Sequence, residues 1–458
     1  MLFRSLAYNG LIPGPLLKAA QGAEVTINFT NNTDIDTTLH SHGVRLENKF
    51  DGTPALTQEP IRPGGTFTYK LKFPDAGMYW YHPHVREDYA QELGLYGNYL
   101  VAPSNDKYWS HVDREVPLFL DDILVEDGTI PLSKTAADHL LMGRYGNITL
   151  VNGDTDYKLS VKKGEVVRFY VTNSANVRPF RFAIADTKMK LVGADGGAYE
   201  HDDWSDGVVL APSERAIIEV LFNTPGTFVI QNKTPDKIFP LGNVVVSDQS
   251  VSTSYAAEFD TLRTHDETVK SIDPFRSDFA KEPDKRLSLS VAMGGGMMGT
   301  SGMGNGSHMM PDGSIMGGQM MGTMMGPSSP DGIEWEDHMP MMSSMGASWQ
   351  IVDQETGKKN MDISWSFHIG DKVKIRIFND PKSMHPMQHP IHFHGQRFLV
   401  LARNGVANTN LVWKDTVLVP AGETVDILLD ASNPGTWMAH CHIAEHLESG
   451  MMFSYRVQ

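Results

Sequence analysis

Three segments of this 458-residue chain carry one strand signature, and that repetition limits the possible folds more than any other feature. Gly22–Asn31 (GAEVTINFTN), Gly164–Asn173 (GEVVRFYVTN) and Gly370–Asn379 (GDKVKIRIFN) share the glycine, a valine three residues later and an asparagine nine residues later. In the first copy Val25, Ile27 and Phe29 alternate with polar residues, the period-two pattern of a half-buried strand. A second element recurs downstream in each copy: Ala76-Gly77-Met78-Tyr79, Pro225-Gly226-Thr227-Phe228 and Pro434-Gly435-Thr436-Trp437. Long repeats of short strands and Gly/Pro turns, with little helical periodicity, predict an all-β chain of three Greek-key β-sandwich domains. The expected division is 1–105, 106–250, a linker over 251–284, and 285–458.

The copies are unevenly spaced, with starts 142 and then 206 residues apart, so the third domain must carry an insert. Residues 293–345 supply it, rich in Gly, Ser and Pro and holding 15 of the 25 methionines. Such a low-complexity segment has too few branched or aromatic groups to bury a core, and a mobile excursion from domain 3 is expected.

Composition removes several classes of function. The chain is 41% hydrophobic, yet no apolar run approaches the ~18 residues that span a bilayer, so no membrane segment is expected. A net charge of −16 without a basic stripe argues against nucleic acid and anionic membrane surfaces as partners. Cys441 is the only cysteine, which excludes an internal disulfide. The first ten residues lack the charged start, apolar stretch and cleavage site of a secretory signal.

Ten of the 18 histidines fall in four clusters: His40 and His42; His82 and His84; His389, His392 and His394; and His440, His442 and His446. A His-x-His pair on a strand sends both rings to one face about 6.8 Å apart. Singly, each pair is as consistent with a polar face as with a metal site. The repeat makes them informative. Five residues after Gly77 comes His82 and five after Gly435 comes His440, whereas the same count from Gly226 reaches Gln231-Asn232-Lys233. Domain 2 is therefore expected to be a spacer, with eight imidazoles facing one another between domains 1 and 3. Imidazole without carboxylate or thiolate suits copper, and eight rings serve three ions as two, three and three. On the other strand face Cys441, with nearby histidines and Met451, supplies the His, Cys and weak Met donors of a blue-copper electron-transfer site. Four coppers would let single electrons collect until dioxygen takes four.

The four clusters, in this order and spacing, resemble the signatures of the multicopper oxidases, the family of laccases, ascorbate oxidase and bacterial copper efflux oxidases. The likeness runs from Tyr8-Asn9-Gly10 to Met451 and implies three cupredoxin-like domains holding four copper ions. It implies a type 1 copper on His389, Cys441 and His446 with Met451 axial, and a type 2 copper on His40 and His392. A type 3 pair would take His42, His82, His84, His394, His440 and His442. Asp51 matches an acid that assists proton delivery. Many bacterial members carry a glutamate where this chain has Leu447, and Glu448 or Glu445 is the expected substitute.

The implied activity is oxidation of one-electron donors, phenols, aromatic amines or Cu(I), with reduction of dioxygen to water. The methionine-rich insert resembles a Cu(I)-gathering segment, since soft thioethers prefer Cu(I). A monomer suffices, and the family points to a periplasmic or secreted protein. The alternatives are a copper-sequestering protein, a cupredoxin-like scaffold without turnover, and, less consistent with a full trinuclear set, a nitrite reductase. His308 and His338 inside the insert are open. Ordinary surface or hydrogen-bonded roles are expected for His111, His139, His201, His265, His368 and His385.

Overall fold

The computed structural model describes residues 4–293, 308–309, 315–316, 329–338 and 346–458, and strands dominate them. Three pairs of sheets follow one another along the chain, as the repeat predicts. In the first, Leu17–Ala20, Gly97–Ala102, Gly77–His82 and His40–His42 form a four-stranded sheet that shares a core with the Glu24–Thr30 and Thr66–Lys72 pair. A six-stranded and a five-stranded sheet make the second, from Arg114 to Ser250. A seven-stranded and a five-stranded sheet make the third, from Lys285 to Val457.

The recurring asparagine has one role in all three. Asn31 Nδ2 donates to the carbonyls of Ile35 and Ile61, both at 2.8 Å. Asn173 reaches Arg178 and Leu210 at 2.8 and 2.9 Å, and Asn379 reaches Met387 and Val419 at 2.7 and 2.9 Å. Each buried amide ties the end of its strand to two later segments, and an unpaired carbonyl there would cost about 1–3 kcal/mol. The glycines of the second element also share a conformation: Gly77, Gly226 and Gly435 have φ of 154°, 144° and 148°, which other residues rarely adopt.

The outer copies are fused in a way the middle one is not. One apolar cluster joins Leu39, Tyr69 and Tyr79 of the first sandwich to Trp349, Trp437 and Phe453 of the third, while Leu118, Phe169, Phe180 and Ile218 belong to a separate core. The 251–284 segment holds the helices Ala256–Asp260 and Asp266–Ile272, and Ile272 and Phe275 pack on Leu399, Leu411 and Trp413. Among the described residues no helix is long and apolar enough to cross a membrane.

Most of the methionine-rich stretch, and the expectation of mobility attached to it, lies outside the described residues. Residues 329–338 depart from that expectation. Ile333 and Trp335 are buried with Ala211 and Leu418, and Ala421 donates a backbone hydrogen bond to Gly332 at 2.9 Å. The Ile-Glu-Trp of this short run supplies the branched and aromatic surface that the rest of the insert lacks.

Candidate metal centre

Strand pairing brings the histidine clusters together. His40–His42 runs antiparallel to Gly77–His82 with His40 opposite His82, and His389–Phe393 runs antiparallel to Gly435–Cys441 with His392 opposite His440. The two ladders meet face to face between the outer sandwiches. His42 stacks on His392 with ring centroids 3.7 Å apart and His40 on His394 at 4.1 Å; His82 lies 5.0 Å from His442 and His84 5.2 Å from His440. All eight rings are buried. The Trp80 indole stacks on His82 at 4.3 Å and closes one side.

Seven of the eight rings commit one nitrogen to the protein. His40, His82, His392 and His440 each place Nδ1 on a backbone carbonyl, those of Asp51, Pro83, Asp415 and Cys441, at 2.7 to 2.8 Å. His394 Nδ1 lies 2.9 Å from Asp51 Oδ2, His84 Nδ1 3.2 Å from Glu87 Oε1, and His42 Nε2 3.0 Å from Asp415 Oδ1. These acceptors fix the tautomer and turn the other nitrogen inward. Inside the chamber His40 Nε2, His42 Nδ1, His82 Nε2, His84 Nε2, His392 Nε2 and His442 Nε2 have no partner, and His394 Nε2 faces His440 Nε2 at 3.0 Å. One orphaned buried nitrogen would cost about 1–3 kcal/mol, so six converging ones describe a donor set for cations. Three triads drawn from it, His40/His392/His394, His40/His42/His82 and His84/His394/His440, have donor atoms within 4.8 Å of one another. Burial keeps seven of the rings neutral, with His42, His82, His84, His392 and His440 well below the ordinary value, His394 at about 4 and His442 at about 3.

Cys441 faces the other way. Its Sγ lies 3.5 Å from His389 Nδ1 and 3.7 Å from His446 Nδ1, and those two nitrogens are 3.3 Å apart. Metal bonds of roughly 2.0 Å to nitrogen and 2.3 Å to sulfur give ligand edges of about 3.3–3.7 Å, so the triangle already has the size of a coordination sphere. Met451 is buried beside it, and its carbonyl accepts the Cys441 N–H at 3.1 Å. His446 Nε2 is held 3.3 Å from the Leu141 carbonyl, and Trp349 stacks on the His446 ring at 4.1 Å. Burial drives the thiol far above its usual range, and a bound cation would reverse that.

The acids divide into those the sequence singled out and those it did not. Asp51 is buried between His40 and His394, and although desolvation opposes ionisation the two rings hold its carboxyl well below the usual range. Glu448, at the end of the Ala444–Glu448 helix, is exposed by area yet close enough to protein for desolvation and Asp88 to raise it to about 7. Among the described residues no hydrogen bond or ion pair joins it to a cluster histidine. Glu445 is fully buried at about 8, raised by desolvation against the pull of Arg144, and hydrogen-bonded by Asn176 at 3.2 Å. Glu87, missed in the sequence, is the buried acid that touches His84, and burial together with Glu448 raises it strongly.

Asp415 and Arg215 were also missed. Arg215 comes from the middle sandwich, where no histidine pair occurs, and grips Asp415 with both terminal nitrogens at 2.7 and 2.5 Å while its Nε donates to the Met78 carbonyl at 2.9 Å. One guanidinium therefore ties all three sandwiches together behind His42. No spacing rule could have found it, because Arg215 sits in an ordinary strand and Asp415 in the bend between two.

Paired sandwiches with a Cys-His-His triangle on one strand face and a box of imidazoles on the other define a cupredoxin-type copper protein. Three multicopper oxidase family models match residues 3–106, 115–249 and 336–458, and the chain belongs to the multicopper oxidase family. It is 26% identical to the multicopper oxidase mco of Staphylococcus aureus, over 99% of this chain and 84% of that one. It is likewise 26% identical to the multicopper oxidase MmcO of Mycobacterium tuberculosis, over 98% and 82%. A solved multicopper oxidase of Campylobacter jejuni superposes with a TM-score of 0.72 at 24% identity, covering 99% of this chain and 87% of that one.

Proposed function

We propose that the protein is a laccase-like oxidase that takes single electrons from a reductant at Cys441 and reduces dioxygen to water in the imidazole chamber. The observation that carries this reading is the set of unpartnered ring nitrogens aimed into one cavity, back to back with the Cys441 triangle. His389, Cys441, His446 and Met451 would hold a type 1 copper, His40 and His392 a type 2 copper, and the six remaining chamber histidines a type 3 pair. Bound copper, four ions in all, supplies the one-electron steps and the affinity for oxygen.

The protein's own residues do the rest. Main-chain carbonyls and the Asp51, Glu87 and Asp415 carboxyl groups orient the imidazoles, and Trp80 packs against one wall. Asp51 holds a negative charge beside His394, and Glu448 with Glu87 marks the side from which protons reach His84. The short covalent link from Cys441 to His440 and His442 gives electrons a path of roughly a dozen ångströms between the two sites. Domains divided at 1–105, 106–250 and 285–458 fit the sheet grouping, a monomer contains the whole chamber, and a periplasmic or secreted setting suits the activity. Donors are phenols, aromatic amines or Cu(I).

Oxygen uptake with Cu(I) and with a simple phenol, alongside copper content, tests the reading. The expected result is uptake with at least one donor and electrons consumed in a four-to-one ratio to oxygen. A protein that binds copper but consumes no oxygen is a store or scaffold instead.

A further inference from the structure

The first sandwich lacks a strand that the other two have. In the second, the recurring strand Glu165–Asn173 is paired on both edges, antiparallel to Arg215–Phe222 and parallel to Arg114–Ile123. In the third, Asp371–Asn379 likewise lies between Thr424–Ala431, antiparallel, and Lys285–Met293, parallel. The first copy, Glu24–Thr30, pairs with Thr66–Lys72 alone among the described residues. Asn31 N–H donates to the Gly65 carbonyl at 2.9 Å and Phe73 N–H to the Ala23 carbonyl at 3.1 Å, so odd-numbered positions serve this pair. Strand alternation then turns the N–H and C=O groups of Glu24, Thr26, Asn28 and Thr30 to the free edge.

The gap reaches the core. Val25, Ile27 and Phe29 are only half-buried, whereas their counterparts Val167, Phe169 and Val171, and Val373, Ile375 and Ile377, are buried. Those three side chains, with Tyr8, Leu17 and Tyr81, line a cleft of about 580 Å³. The Tyr8 hydroxyl is buried and has no hydrogen-bond partner. What the other two copies place at this position is chemically alike. Leu118 lies opposite Val171 and Leu120 opposite Asn173, while Leu287 lies opposite Ile377 and Leu289 opposite Asn379. Carried onto the first copy, both registers set a Leu-x-Leu pair opposite Phe29 and Asn31.

We propose that this edge is a strand-acceptor site for a partner protein. An extended segment with alternating aliphatic side chains adds parallel to Glu24–Thr30, its main chain bonded to the free positions and its Leu-x-Leu pair seated in the cleft. The geometry selects such a partner over a second copy of this chain. Two identical edges related by a two-fold axis meet antiparallel, and both internal templates are parallel. The site stands apart from the copper chemistry, because no clustered histidine lines the cleft.

The strand of the third copy supplies the probe. A labelled peptide of sequence KRLSLSVAM, residues 285–293, should bind the full chain with saturable fluorescence anisotropy, and photoreactive leucines at its two leucine positions should cross-link to residues 25–31. The same peptide with aspartate at both leucine positions should not bind. Asn28→Pro removes one outward N–H and leaves the inner ladder intact, so it should weaken binding about tenfold, the worth of one hydrogen bond. If Asn28→Pro does not fold, the two peptides decide on the unaltered protein. Equal binding of both peptides, or cross-links outside residues 25–31, overturns the site. Refusal of the leucine peptide also overturns it, whether the edge is held by a second copy, by the chain's own residues or by nothing.

Discussion

Two chambers share the Gly435–Cys441 strand, and they are built on opposite terms. On the chamber side seven rings are locked by carbonyls and carboxyl groups from both outer sandwiches, and Arg215 braces the wall from the middle one. On the Cys441 side the described residues supply three close donors and Met451, with Trp349 and the Leu141 carbonyl as support. The difference fits a division of labour. In the proposed oxidase the chamber would hold several ions in fixed relation, whereas the Cys441 site would exchange single electrons at one soft, unchanging centre.

Cys441→Ser separates the chambers most sharply. It should abolish the intense visible absorption of a copper–thiolate bond and all donor oxidation while leaving the chamber's copper in place; a surviving band would contradict the assignment of the sulfur. Arg215→Met should come next, because it leaves the buried Asp415 carboxylate uncompensated at about 3–5 kcal/mol, with Arg215→Lys milder. Chemical denaturation checks this, and the visible band should persist, since Arg215 braces only the chamber.

Asp51→Asn removes the charge beside His394 and should lower turnover about 10- to 100-fold without moving the visible band. A shifted band would mean that the chambers are not separable in this way. The smallest effect is pH dependence in copper-free protein. His394, His389 and His442 are held at about 4, 3 and 3, below the ordinary 6.5. Below about pH 6.5 the unfolded chain takes up protons that the folded chain refuses, so stability present at higher pH is lost as pH falls, by up to about 1.4 kcal/mol per unit for each ring. The thermal midpoint should drop between pH 7 and 5; a flat profile would mean that the rings reach solvent.

Much of this architecture is legible in the sequence. The repeat located three sandwiches because its asparagines and glycines have fixed backbone duties, and such duties leave marks at fixed spacing. His-x-His pairs were legible for the same reason: strand alternation converts spacing into a face. Asp415, Arg215 and Glu87 were not legible. Asp415 and Arg215 act through each other, 200 residues apart in the chain, and a lone charged residue in a strand or turn has no periodicity to betray it. His385 illustrates the converse. Its sequence setting looked ordinary, yet it is buried and neither ring nitrogen has a hydrogen-bond partner.

In the proposed arrangement the outer sandwiches enclose three metal ions wired through Cys441 to a fourth. Elemental analysis of fully reconstituted protein, paired with electron paramagnetic resonance, tests it most directly. Four coppers per chain are predicted, two of them resonance-active in the oxidised state as one type 1 and one type 2 signal. A single tightly held copper, or four that all give independent signals, would contradict it.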